Sequence, residues 1–88
     1  MKTINEAIEL SEFETMLEEN ENLIVDLFAE WCQPCQDLHG ILEEIEKDNS
    51  DLTIVSINIE ENDWIAMDYE VTTIPQLLFF KNGEKVQT

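Results

Sequence analysis

Trp31-Cys32-Gln33-Pro34-Cys35 holds both cysteines of the chain, three residues apart. The segment follows an apolar run, Leu23 to Ala29, and precedes a helical pattern at Leu38, Ile41, Leu42 and Ile45. A strand that feeds a helix in this way puts Cys32 at the helix N-terminus and Cys35 one turn inside it. Side chains at i and i+3 of a helix lie about 5–6 Å apart at Cβ, against the ~3.8 Å that a disulfide prefers. Modest tightening of a first turn closes that gap, so the pair can pass between dithiol and disulfide without refolding its surroundings. The pattern reads as a redox centre.

Composition narrows the setting. A length of 88 residues supports one domain, residues 1–88. A hydrophobic content of 43% is enough for a real core. No apolar stretch reaches the length of a transmembrane helix, and the start, Met1 to Glu6, lacks the apolar segment of a secretory signal. The expected location is therefore the cytoplasm, where a cysteine pair is more often catalytic or metal-binding than a standing cross-link. A zinc site needs four ligands as a rule. Beyond the two cysteines only His39 and carboxylates are on offer, so no metal is expected. Twenty-one acidic residues against four lysines and no arginine give a formal charge of −17. Such a surface repels phosphate backbones and anionic membranes, which excludes nucleic acid and membrane partners. The acidity serves solubility first, with steering of basic partners as the sharper reading.

Along the chain, Thr3 to Leu10 reads as a weak first strand, with Asn5 onward an alternative start for the first helix. Ser11 and Glu14 have capping-box spacing, which predicts Ser11 as N-cap. Phe13, Met16 and Leu17 form the buried stripe of a helix ending near Asn20 to Asn22. Leu23 to Ala29, apolar on both alternating faces except at Asp26, predicts a central parallel strand covered on both sides. The helix from Cys32 runs to about Lys47. Thr53 to Ile59 is a β-branched strand, Asp63 to Tyr69 a short helix and Leu77 to Lys81 a further strand. Asn82-Gly83 signals a hairpin into Glu84 to Thr88. The predicted order β-α-β-α-β-α-β-β implies an α/β domain with a mixed central sheet flanked by helices.

These residues resemble the thioredoxin family. The resemblance rests on Val25 to Cys35, then Ile57-Asn58-Ile59-Glu60, Thr73-Ile74-Pro75 and Phe80 to Glu84, in family order and spacing. It implies a thioredoxin-like fold in which Cys32 is the attacking thiol, Cys35 resolves the mixed disulfide and Pro75 is a cis proline beside them. Family members usually carry Gly where Gln33 stands and often a basic residue where Gln36 stands. Gly40 replaces a helix-kinking proline, and Ser56 takes a position that is lysine in many bacterial members. The chain stops at Thr88, so the family's C-terminal helix is missing from the expected fold.

The chemistry follows from those positions. Helix N–H groups and the macrodipole favour a thiolate at Cys32. No Lys or Arg lies within ten residues of it, so the helix end supplies most of this effect. Cys35, a turn deeper, keeps its proton until it attacks. Pro34 stiffens the loop between the sulfurs, and Gln33 with it tunes redox poise. Asp26, desolvated in its strand, titrates high and exchanges a proton with Cys35 through a water. Trp31, Ile74 and Pro75 are expected to form the substrate-binding wall, with the Ile74 backbone open to strand addition. Trp64 and Tyr69 are expected to pack the short helix onto the sheet, and His39 to be a partly buried structural residue. The expected activity is thiol–disulfide oxidoreduction on disulfide-containing proteins, with no cofactor and with electrons from a reductase in trans. The alternative is an interaction module with little turnover. The apolar strand Leu77 to Phe80 lacks a cover after Thr88, from which weak self-association is expected.

Overall fold

Every residue from Leu23 to Ala29 is buried, the charged Asp26 included, because this strand lies between helices on both sides of one sheet. The computed structural model describes residues 1–86. Eight elements follow in the order β1 Lys2–Ile4, α1 Leu10–Glu19, β2 Asn22–Phe28, α2 Gln33–Asp48, β3 Thr53–Asn58, α3 Asp63–Asp68, β4 Gln76–Lys81 and β5 Glu84–Lys85. The sheet order is β1-β3-β2-β4-β5. β1 and β2 run parallel to β3, while β4 is antiparallel to both β2 and β5. The expected mixed sheet is present. β2 is central, but it is parallel on one edge only, since the hairpin strand β4 closes its other edge.

Alternation along β2 divides the core in two. Leu23, Val25 and Leu27 face Phe13 of α1 and Ile65 of α3, together with Val55, Ile57, Leu78 and Phe80. Trp64 stands edge-on to Phe13 at 5.8 Å, and Tyr69 to Phe80 at 5.7 Å. Ile24, on the opposite face, meets Leu42 of α2 and Ile54. Asp26 and Phe28 continue that second face by strand periodicity. The face is thinly covered at β4, where Leu77 and Phe79 are half-buried. Beside them Ile24, Leu52, Phe79 and Val86 line an apolar groove of about 450 Å³.

Several local expectations are corrected. β1 is three residues long rather than reaching Leu10. α1 starts at Leu10, so its N-cap is Glu9 and not Ser11. The same three-residue spacing recurs two positions earlier, and Glu12 Oε1 accepts the Glu9 N–H at 3.4 Å. This start puts an acid in the first turn, as the helix dipole favours. In α2, Leu42 is buried and Leu38 half-buried, but Ile41 is 57% and Ile45 38% exposed. The helix rests on the sheet along a narrower stripe than its apolar pattern predicts. The hairpin turn has positive φ at both Asn82 and Gly83, the pairing expected for a two-residue connection. β5 ends at Lys85, and the last two residues of the expected strand, Gln87 and Thr88, lie outside the described residues.

Asn62 is the polar tie between the two chain crossings at this end of the sheet. It is fully buried. Its Oδ1 accepts the Ile8 N–H at 2.8 Å, and its Nδ2 donates to Glu6 O at 2.9 Å and Asn58 O at 3.2 Å. Asn62→Ala leaves three backbone groups without this partner, two of them buried, and should lower the unfolding free energy by about 2–4 kcal/mol, read as a lower urea midpoint. Gly40 sits within α2 with open space where a Cβ would go. Gly40→Ala should therefore raise stability by about 0.5–1 kcal/mol in the same assay.

Candidate active site

Where β2 ends, the chain turns sharply enough for the Cys32 N–H to donate to Ala29 O at 3.1 Å. α2 then begins, with Cys32 as its N-cap and Pro34 in the first turn, where a missing N–H costs little. Cys32 Sγ accepts the Cys35 N–H at 3.2 Å. This is a direct contact between the sulfur and one of the otherwise unpaired donors of the helix end, and it favours sulfur carrying negative charge. Cys32 and Cys35 are joined as a disulfide, with their Cα atoms 5.3 Å apart.

Burial separates the two cysteines less than depth along the helix suggests: Cys32 is 4% exposed and Cys35 is fully buried. Their neighbours differ more. Cys32 is flanked by exposed Trp31, Gln33 and Pro34, and Trp31 itself is 71% exposed. Both cysteines pack with Phe28 and Ala29, and Ile74 lies against the same cluster. Pro75 follows through a cis Ile74–Pro75 bond. Trp31, Ile59, Val71 and Ile74 line a groove of about 210 Å³ at this rim. Gln33 Nε2 donates to Asp37 Oδ1 at 3.1 Å, on the exposed side of the first turn.

Asp26 lies beneath this rim and is wholly removed from solvent. Ser56 Oγ donates to its Oδ2 at 2.8 Å, and His39 Nε2 lies 2.8 Å from the same oxygen. Burial pushes the carboxyl above its ordinary range, and the Ser56 hydroxyl and the His39 imidazole oppose that rise in part. No hydrogen bond joins Asp26 to Cys35 among the described residues. Phe28 bridges the space, packing with Cys35 and meeting the His39 ring edge-on at 4.9 Å. The structure thus gathers Cys32, Cys35, Trp31, Ile74 and Pro75 at one rim and sets Asp26 behind them.

Comparison with known proteins agrees with this geometry. The family model described as Thioredoxin matches residues 5–88. The thioredoxin of Rickettsia typhi is 38% identical over 86 residues, which cover 97% of this chain and 82% of that protein. That of Buchnera aphidicola from Acyrthosiphon pisum is 43% identical over 89 residues, with the same coverage of 97% and 82%. The chain belongs to the thioredoxin family. The oxidised thioredoxin of Plasmodium falciparum superposes with a TM-score of 0.84 at 30% identity, covering 99% of this chain and 81% of that one. Oxidised mitochondrial thioredoxin 3 of Saccharomyces cerevisiae gives 0.87 at 26% identity, covering 99% and 79%. This member of the family is a thiol–disulfide oxidoreductase built on the Cys32–Cys35 pair.

Two contacts at Asp26 escaped the sequence reading. Ser56 was noted only for the lysine it replaces, yet it is the hydrogen-bond donor to the buried acid. His39 was read as structural. Its spacing of four from Cys35, on the helix that covers the Asp26 face, is the signal that would have found it.

The raised proton affinity of Asp26 has a consequence for stability. The folded protein binds this proton more tightly than the unfolded chain does. The associated stability is therefore complete below the ordinary carboxylate range and is lost as pH rises through the higher native value. Asp26→Asn removes that dependence. Relative to the parent, the variant should gain stability as pH rises from about 4 through neutrality, measured by urea unfolding at a series of pH values. A constant difference between the two proteins would show that Asp26 titrates alike in both states.

Proposed function

We propose that the protein reduces disulfides in protein substrates, with Cys32 as the attacking thiol, Cys35 as the resolving thiol and Asp26 as the acceptor and donor of the Cys35 proton. The observation that carries the assignment is the Cys32 sulfur capping α2 and accepting the Cys35 N–H. That position stabilises a thiolate at Cys32 and gives no such help to Cys35. The Cys32 thiolate attacks a substrate sulfur, which breaks the substrate disulfide and forms a mixed disulfide. Cys35 gives its proton to Asp26 through a water and attacks Cys32, and the second substrate sulfur leaves. Two electrons pass from the dithiol to the substrate.

In this reading Trp31, Ile74 and Pro75 form the wall against which an extended substrate segment lies, supported by the groove at the rim. Gln33 and Pro34 tune redox poise from the first turn of α2. A reductase in trans returns the electrons, the domain works without a cofactor, and residues 1–88 act as one unit in the cytoplasm. The charge of −17 favours substrates with basic surfaces around the target disulfide.

Insulin reduction tests the roles. Cys32→Ser should abolish turnover, and Cys35→Ser should accumulate a long-lived mixed disulfide with substrate, visible by mass spectrometry. Native alkylation of the reduced protein should label Cys32 first. Faster labelling of Cys35 would reverse the assignment.

A further inference from the structure

The one histidine of the chain touches its most deeply buried carboxyl. His39 Nε2 and Asp26 Oδ2 are 2.8 Å apart, with the His39 side chain 16% exposed and that of Asp26 wholly buried. One partner is sealed in the core and the other reaches water. Two bare lone pairs repel at that separation, so a proton resides on Nε2 or on Oδ2. The ring is fixed by its edge-on contact with Phe28.

Other charged and polar groups approach this pair from each packed element. From β3, Ser56 donates to Oδ2 but carries no titrating charge. From β4, Leu77 stands opposite Asp26 in register and is apolar. Along α2, Cys35 and Glu43 stand one turn before and one turn after His39. Glu46 is paired with the Met1 ammonium and accepts the Ile54 N–H, and the Met1 sulfur lies 3.4 Å from Ser56 Oγ. Asp26 Oδ1 has no partner among the described residues, and Nε2 has none besides this ion-pair contact. Asp26 therefore has one titratable neighbour in contact, and that neighbour leads outward.

We propose that His39 is a positioning residue for the dithiol reaction: as imidazolium it sets a cation against Asp26 Oδ2 and keeps that carboxylate ionised to receive the Cys35 proton. The proposal rests on Asp26 being the acceptor for Cys35. In the resolving step the Cys35 S–H bond breaks and its proton passes to the Asp26 carboxylate. The electron pair left on that sulfur forms the Cys35–Cys32 bond as the Cys32–substrate bond breaks. The departing substrate sulfur keeps that bond's electron pair and takes a proton from water. Asp26 is then protonated in a place with no exposed surface of its own. Asp26 holds that proton until Cys35 is reduced again and takes it back. Protonated His39 also places a cation beside Asp26, which favours the ionised acceptor against the cost of burial.

Stopped-flow reaction of the reduced protein with dithiodipyridine tests this. The first pyridinethione is released by Cys32 and the second by Cys35, and the ratio of the two rates isolates the resolving step. His39→Ala and His39→Gln should each lower that ratio about threefold or more near pH 6.5, where an imidazole carries charge, and by less than about twofold near pH 9. Glutamine keeps a polar side chain at the site without titrating, so it also covers the case in which alanine fails to fold. Asp26→Asn in the same assay separates the two claims. If it lowers the ratio while neither His39 variant does so in a pH-selective way, the role of His39 is overturned and Asp26 stands as acceptor. If it leaves the ratio unchanged at every pH, the acceptor reading falls and the role of His39 with it. Imidazole nitrogen resonances give a second readout in the parent fold: the His39 protonation curve should change on Asp26→Asn, and an identical curve would overturn the coupling.

Discussion

Burial of β2 on both faces is the constraint from which the site follows. A strand covered on both sides ends where its covering helix begins, so the turn after Phe28 sets the start of α2 beside the sheet edge. That start is the one place in α2 where unpaired N–H groups face outward. Cys32 occupies it, and Cys35 is carried one turn inward, against Phe28 and Ala29. The same burial forces the carboxyl of Asp26 into the core, since its side chain shares a face with Ile24 and Phe28. The positions of Cys32, Cys35 and the buried acid are thus consequences of one strand and the helix it feeds.

Electrostatics at Cys32 sets a local effect against a global one. The chain carries −17, which opposes a further negative charge anywhere on the surface. Two unit charges 10 Å apart in water interact by only ~0.4 kcal/mol, and salt at ~0.15 M screens beyond about 8 Å. A helix N-terminus contributes ~0.3–1 kcal/mol at the surface and up to ~2 when partly buried. Cys32 is 4% exposed and touches a backbone N–H directly. The local effect outweighs any single distant carboxylate.

Much of this was legible in the sequence because it is written in periodicity. The alternating run Leu23 to Ala29, the cysteine spacing and the Asn82-Gly83 turn each specify a local geometry with few alternatives. The element order and the mixed sheet follow from them. Less legible were features decided by tertiary fit. The start of α1 differs because two pairs, Glu9 with Glu12 and Ser11 with Glu14, share one spacing, and neighbouring structure chose Glu9 over Ser11. Ile41 and Ile45 match a helical stripe but face solvent, since the sheet beneath α2 supports only Leu38 and Leu42. Asn62 carries no pattern in the sequence, yet its hydrogen bonds to Ile8 and Glu6 join segments far apart in the chain. The Asp26–His39 contact spans a strand and a helix, and only the placement of His39 four residues after Cys35 points to it.

The two sheet faces are unequal, and the chemistry lies on the thinner one. The face toward α1 and α3 is closed by Phe13, Ile65, Phe80 and their neighbours, with aromatic rings meeting edge-on. A face packed in that way has no room for a carboxyl whose second oxygen lacks a partner, because an unpaired buried polar group costs about 1–3 kcal/mol. The α2 face bears that cost at Asp26, and its narrower stripe leaves His39 at the margin, in contact with both the acid and water. Dense packing on one side supplies the stability that lets the other side hold a poorly satisfied acid.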